Sequence, residues 1–185
     1  MISLGQVPLL VFALTVLMIL QMSINASILS SAVSSLDNEA TIEATTLGNL
    51  MLGEVKSKAF DSNALDQTGR PVMLYNRSQL TPASSLGPES SFDSTITNEI
   101  VPVSQTLFLS WKYKDIDDYN RYVRTVQTQN LATFVIRDSI CYVQESNPEA
   151  VSSTQTWCKM VVVTVTHPNM SNPVIIKSLI AYTRS

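Results

Sequence analysis

The first 36 residues of this chain contain no charged side chain: the first acid is Asp37 and the first base is Lys56. The most apolar part, Val7 to Leu20, is interrupted only by Pro8 and Thr15. A membrane span needs about 20 mostly apolar residues, so this stretch is long enough to cross a bilayer. Any fold must therefore place it in lipid or against other protein.

An apolar stripe at three- and four-residue spacing continues beyond this stretch, which predicts a helix. Its members are Leu29, Val33, Leu36, Ala40, Ala44, Leu47, Met51 and Val55. One helix from Met1 to about Ala59 would be about 88 Å long, too long for a small domain to bury. The alternative is a membrane anchor followed by a separate stalk helix, broken at Gly48 or Gly53.

The charge-free half, the amphipathic half and the stretch "EATTLGNLMLGEVKSKAFD" (residues 43–61) together resemble mature type IV pilins and type II secretion pseudopilins. In such proteins the helix leads into a β-rich domain. The resemblance implies an α+β fold in which the C-terminal half of the helix packs on a β-sheet. It also implies that the apolar half is a membrane anchor before assembly and a filament core afterwards.

The resemblance extends to the N-terminus. Mature pilins often begin with Phe or Met, exposed by prepilin peptidase and then N-methylated, which makes Met1 the expected modified residue. Family members usually carry Glu at the fifth mature position, where this chain has Gly5. The alternative is a mature chain that begins at Gln6. The expected assembly residues are Met1, Gly5, Pro8, Phe12, Leu14, Val16, Leu17 and Leu20.

Four regions follow from this reading: an apolar helix over 1–28, its amphipathic continuation over 29–61, a surface loop over 62–104 and a β-domain over 105–185. The loop is rich in turn-forming residues and poor in periodicity. Strand-like alternation in the β-domain predicts a four-stranded antiparallel sheet. The predicted strands are 105–114, 132–143, 156–166 and 174–183.

The middle two strands predict a hairpin that is symmetrical about residues 149 and 150. This register places Phe134 opposite Val165 and Tyr142 opposite Trp157 on one face. It also places Cys141 opposite Cys158 on the other face, which predicts a disulfide. The alternative is a pair of free thiols.

The chain offers little chemistry of the kind that enzymes use. Asp115, Asp117, Asp118 and Asn120 could bind calcium through oxygen ligands, but they lack the EF-hand spacing and its glycine. The alternative is a turn or helix N-cap formed by Asp117 or Asp118. His167, before Pro168, is interpreted as a turn residue. Because no nucleophile elbow or phosphate-binding loop occurs, we expect no enzyme activity and no cofactor.

The overall charge of −3 is too low and of the wrong sign for nucleic-acid binding. The expected partners are other copies of the chain, the membrane before assembly, prepilin peptidase and the pilus assembly machinery. The expected location is an extracellular filament. The alternative function is a minor pseudopilin, or a single-pass anchored periplasmic binding domain of a secretion system.

Overall fold

The computed structural model describes residues 6–89, 98–102 and 108–183. The chain divides into two units, Met1–Glu39 and Ala40–Ser185. Helix α1 (Gln6–Lys56) makes up the described part of the first unit and opens the second. The predicted long helix is confirmed, and it is unbroken at Gly48 and Gly53. The chain leaves the helix where Ala59 forms a bridge with Asp115, and this bridge replaces the helical hydrogen bonds.

The second unit contains a six-stranded sheet, so the α+β class is confirmed. The strands are β1 (Asn98–Val101), β2 (Val123–Thr128), β3 (Ala132–Gln144), β4 (Asn147–Val151), β5 (Cys158–Thr166) and β6 (Val174–Ala181). Their order is β1-β2-β3-β5-β6, with β4 paired to the end of β3. Short 3₁₀ turns occupy Ser62–Ala64, Arg77–Gln79, Ala83–Ser85, Leu109–Lys112 and Asp117–Tyr119.

The predicted four-stranded antiparallel sheet is wrong, because the sheet is mixed: β1 runs parallel to β2. Three predicted strands correspond to β3, β5 and β6. The predicted strand 105–114 is wrong over its described part, because Leu109–Lys112 forms a 3₁₀ turn; residues 103–107 lie outside the described chain. The prediction also missed β1, β2 and β4.

The predicted register of β3 and β5 is wrong by two residues. Val165 lies opposite Ile136 instead of Phe134, and Tyr142 lies opposite Lys159 instead of Trp157. The connection between the two strands is not a simple hairpin, because it forms β4 and a bulge between Val143 and Gln144. A shift of two residues keeps every side chain on its predicted face, since side chains alternate with period two.

The same shift separates the cysteines, and both are free thiols in the structure. Cys141 lies opposite Met160, so Cys158 is its diagonal neighbour on the same face. Diagonal Cα atoms lie about 7–8 Å apart, whereas a disulfide needs at most about 6.8 Å. The structure therefore contradicts the predicted disulfide.

We expect both thiols to react with an alkylating reagent in the unreduced, denatured chain. Mass spectrometry should then detect two labels without prior reduction. Labelling that appears only after reduction would show that Cys141 and Cys158 form the disulfide, contrary to the register of β3 and β5.

One stripe of α1 in the second unit packs into the core against the sheet. The buried residues of this stripe are Ala40, Ala44, Gly48, Met51, Leu52 and Val55. A Cβ added at Gly48 would lie 2.7 Å from Ile176 Cδ1 on β6 and 3.3 Å from Val165 Cγ2 on β5. Gly48 therefore sets the approach of the helix to these two strands. The hydrophobic core continues through the inward-facing side chains of β3 and β5, among them Phe134, Ile136, Val161 and Val163.

Two helical glycines allow a matched test of this packing. Gly48→Ala should gain less stability than Gly53→Ala, or lose up to about 2 kcal/mol, because the added Cβ displaces the end of the Ile176 side chain and crowds Val165. Gly53→Ala should be stabilising by up to about 1 kcal/mol, because nothing lies within 4 Å of the added Cβ. Thermal unfolding in detergent should give Gly48→Ala a lower Tm than Gly53→Ala. Equal stabilisation by both substitutions would contradict the close approach.

Candidate functional site

The most unusual surface of the described chain is on α1 in the first unit. Residues 7–36, here called the apolar segment, carry many large hydrophobic side chains, and all of those that follow are exposed. They are Val7, Leu9, Leu10, Val11, Phe12, Leu14, Val16, Leu17, Met18, Ile19, Leu20, Met22, Ile24, Ile28, Leu29, Val33 and Leu36. Soluble monomers rarely expose a continuous apolar surface of this extent.

The expected assembly residues fall on this surface where they are described. Phe12 is 69% exposed, and Pro8, Leu14, Val16, Leu17 and Leu20 are exposed as well. Met1 and Gly5 lie outside the described residues. The expectations of N-methylation and of an unusual acceptor for the terminal amine therefore stay predictions.

The two halves of the apolar segment differ in side-chain size. The first half carries mostly large apolar side chains, and the hydroxyl of Thr15 there donates a hydrogen bond to the Phe12 carbonyl of the same helix at 2.8 Å. After Gln21 the helix carries small polar side chains along one side, namely Ser27, Ser30, Ser31, Ser34, Ser35 and Asn38. Small side chains allow neighbouring helices to approach closely, and they are enriched where helices pack in membranes.

α1 is, among the described residues, the one helix long and apolar enough to cross a membrane. None of the 18 residues that meet this criterion is buried. A signal sequence near an N-terminus satisfies the same criterion. Length and composition thus define an apolar helix that needs a covering, and they leave open what covers it.

The second unit holds a buried charge cluster around Arg124 that sequence reasoning missed. The guanidinium forms a bidentate pair with Glu54 of α1 at 2.9 and 3.0 Å. Its Nε lies 3.8 Å from Glu99 of β1, and Tyr122 donates to the same Glu99 carboxylate. Burial opposes ionisation of Glu54, but the hydrogen bonds and charge of Arg124 outweigh it, so the pKa of Glu54 is lowered. The cluster fastens the last turns of α1 to β1 and β2.

A second polar group, here called the acidic cluster, consists of Lys159 of β5 with Asp61, Asp115, Asp117, Asp118 and Glu89. The ammonium donates to Asp117 at 2.6 Å, to Asp61 at 3.2 Å and to the Phe60 carbonyl at 2.7 Å. Burial, with the charges of Asp117 and Asp118, raises the pKa of Asp115 to about 9. Burial also raises the pKa of Asp117 to about 6, although Lys159 opposes that rise.

The structure divides the four calcium candidates into two pairs. Asp118 accepts the backbone N–H groups of Lys114 and Asp115, and Asn120 bonds to the backbone at Leu86 and Ile140. Both side chains serve the backbone, and for Asp118 this is the turn role that the alternative interpretation gave it. Asp115 and Asp117 instead meet a third carboxylate, Glu89, which sequence reasoning did not include.

His167 begins a turn, as predicted, because its carbonyl accepts the Met170 N–H at 3.1 Å, and its side chain is buried. Its ring stacks on Phe134 with centroids 4.4 Å apart. Nε2 is hydrogen-bonded to the Leu131 carbonyl, and Nδ1 accepts from the Asn169 N–H at 3.1 Å. Both ring nitrogens are therefore occupied by structural bonds.

Comparison of the chain with protein-family models, with curated proteins and with solved structures found no match. The class of protein must therefore be argued from the apolar segment and the polar clusters themselves.

Asp138 of β3 is a buried carboxylate in which neither oxygen has a hydrogen-bond partner among the described residues. Burial raises its pKa to about 8. The folded chain thus retains this proton between about pH 4 and pH 8, whereas the unfolded chain releases it. Stability should fall as pH rises through this window, by up to about 1.4 kcal/mol per pH unit.

Asp138→Asn should remove this dependence, because the amide is neutral at every pH. Relative to the unmodified chain, the variant should gain at least about 1 kcal/mol between pH 5 and pH 8. Unfolding of the detergent-solubilised chain at both pH values measures the difference. If the free energy of unfolding changed by the same amount between pH 5 and pH 8 in both proteins, Asp138 would not be a neutral, buried group.

Proposed function

We propose that this chain is a structural subunit that polymerises, through its apolar segment, into an extracellular type IV pilus-like filament. The observation that carries the proposal is the exposed, charge-free surface of residues 7–36. Burying one large apolar side chain is worth about 1.5–3 kcal/mol, so the whole surface provides a driving force on the order of tens of kcal/mol. That force favours any state in which the segment is covered.

The length of the segment favours protein as part of the covering. Thirty helical residues extend about 45 Å, whereas the hydrocarbon core of a bilayer is about 30 Å thick. An upright helix that entered the lipid at Val7 would leave Leu29, Val33 and Leu36 outside the hydrocarbon core. The structure covers none of these three side chains. Equivalent helices from other copies can cover the full length, and the serine side of the segment suits close helix contacts.

The second unit supplies the surface of the proposed filament. It has its own core and sheet, while its share of α1 is tied in by Glu54 and Arg124. In this proposal the apolar segment is held in the membrane before assembly, after prepilin peptidase has acted. The assembly machinery then moves the subunit from lipid into the filament. The role is structural and requires neither catalysis nor a cofactor.

The alternative is a minor pseudopilin or a single-pass anchored binding domain. It is supported by the membrane-crossing length and composition of α1. The two functions differ in where the chain is found: a filament subunit is abundant in material sheared from cells, whereas an anchored domain stays with the membrane.

Charge placed in the apolar segment tests the proposal. Leu14→Arg or Val16→Asp should abolish filaments, because an unpaired charge would be buried among neighbouring helices. Leu14→Ile is the matched control, since it changes shape but not polarity. Electron microscopy and immunoblots of the sheared fraction measure assembly, and blots of membranes verify that each variant is made.

Filaments of normal length and abundance with Leu14→Arg would refute the proposal. Failure of Leu14→Ile alongside Leu14→Arg would also count against it, since side-chain polarity would then not decide assembly.

A further inference from the structure

The acidic cluster contains three carboxylates placed as ligands to one ion. One oxygen from each of Glu89, Asp115 and Asp117 lies within 4.8 Å of the others. Calcium–oxygen distances are about 2.3–2.6 Å, so a single ion can lie between ligands at this spacing. Asp115 and Asp117 are buried, whereas Glu89 is exposed at the edge of the group.

One oxygen in this group has no partner. Asp117 is 0% exposed; its Oδ1 receives the Lys159 ammonium, but Oδ2 has no hydrogen-bond donor among the described residues. The other buried carboxylate of the three, Asp115, is served by the backbone, because its oxygens accept from the Ser62 and Asp118 N–H groups. A buried oxygen without a donor is costly, and coordination to a cation is one way to satisfy it.

The balance of acidic and basic groups in the cluster also favours a bound cation. Asp61, Asp115, Asp117 and Asp118 are all buried, and the Lys159 ammonium is bonded to two of them, Asp61 and Asp117. Nearby Lys58 donates its hydrogen bonds to the carbonyls of Ser110, Trp111 and Tyr113, while its charge interacts with Asp118. Four buried acidic side chains thus lie close to one bonded ammonium, and an excess of acidic groups of this kind suits a bound cation.

We propose that Glu89, Asp115 and Asp117 bind one calcium ion. Three carboxylates form a hard-oxygen site, which suits calcium or magnesium better than softer metals. Calcium fits better, because it accepts irregular coordination and completes its shell with water on the exposed Glu89 side, whereas magnesium demands a near-ideal octahedron. The ion joins Glu89 to the segment at residues 115–117. The inference is independent of filament assembly.

Calcium titration into the full chain tests the site. The detergent-solubilised, metal-stripped protein is titrated with calcium by isothermal calorimetry, and its Tm is recorded with and without calcium. We expect one saturable site and a Tm that rises with calcium concentration, because the ion binds the folded state. Magnesium in the same titration should bind more weakly.

Glu89→Gln is the decisive variant, because Glu89 is exposed and its amide replacement can still accept from Ser62 Oγ. It should weaken calcium binding at least about tenfold, the loss that follows even from changing an outer partner of a ligand. Glu149→Gln is the matched control: its exposed carboxylate lies 3.6 Å from Lys177, and it should leave calcium binding unchanged. Absence of calcium binding, equal affinity in Glu89→Gln and the unmodified chain, or tighter binding of magnesium would overturn the proposal.

Discussion

The cost of leaving the apolar segment in water is the constraint on which the rest of the account depends. From residue 7 to residue 36 no side chain can ionise, and large apolar groups such as Leu9 and Met22 are about three-quarters exposed. Lipid and neighbouring helices are both coverings that tolerate no unpaired charge. The same composition would therefore suit the proposed subunit both in a membrane and in a filament.

The second unit meets a different constraint, because it must hold its share of α1 while burying many polar groups. Small residues at Ala40, Ala44 and Gly48 let the helix approach the sheet, and Glu54 binds Arg124 at the end of the buried stripe. Removing one partner of such a buried pair typically costs about 3–5 kcal/mol, since it leaves the other charge uncompensated. The helix is thus part of the core of this unit as well as the carrier of the apolar segment.

Sequence reasoning succeeded where a pattern was long. The helix and the strands β3, β5 and β6 have many residues in one period, so local errors average out. The prediction failed where tertiary pairing decides: β1 is four residues long and depends on its parallel partner, and the register of β5 depends on the bulge beside Val143. Such features arise from distant contacts that a local pattern does not encode.

Part of the buried polar clusters could have been predicted from the sequence. Lys159 alternates with Val161, Val163 and Val165, and Asp138 alternates with Ile136 and Ile140, so the period of two already points both charges into the core. That signal predicts a buried charge but not its partner. Glu89 and Asp61 lie far along the chain from Asp117, and only the folded structure brings them together.

Electron cryomicroscopy of fibres sheared from cells that make this chain tests the central claim most directly. The account predicts a fibre whose axis is a bundle of α1 helices, with residues 7–36 of each copy packed against other copies and the β-domains outside. A fibre built from this chain with residues 7–36 exposed at its surface would contradict the account. So would sheared material that lacks the chain while the membrane fraction retains it.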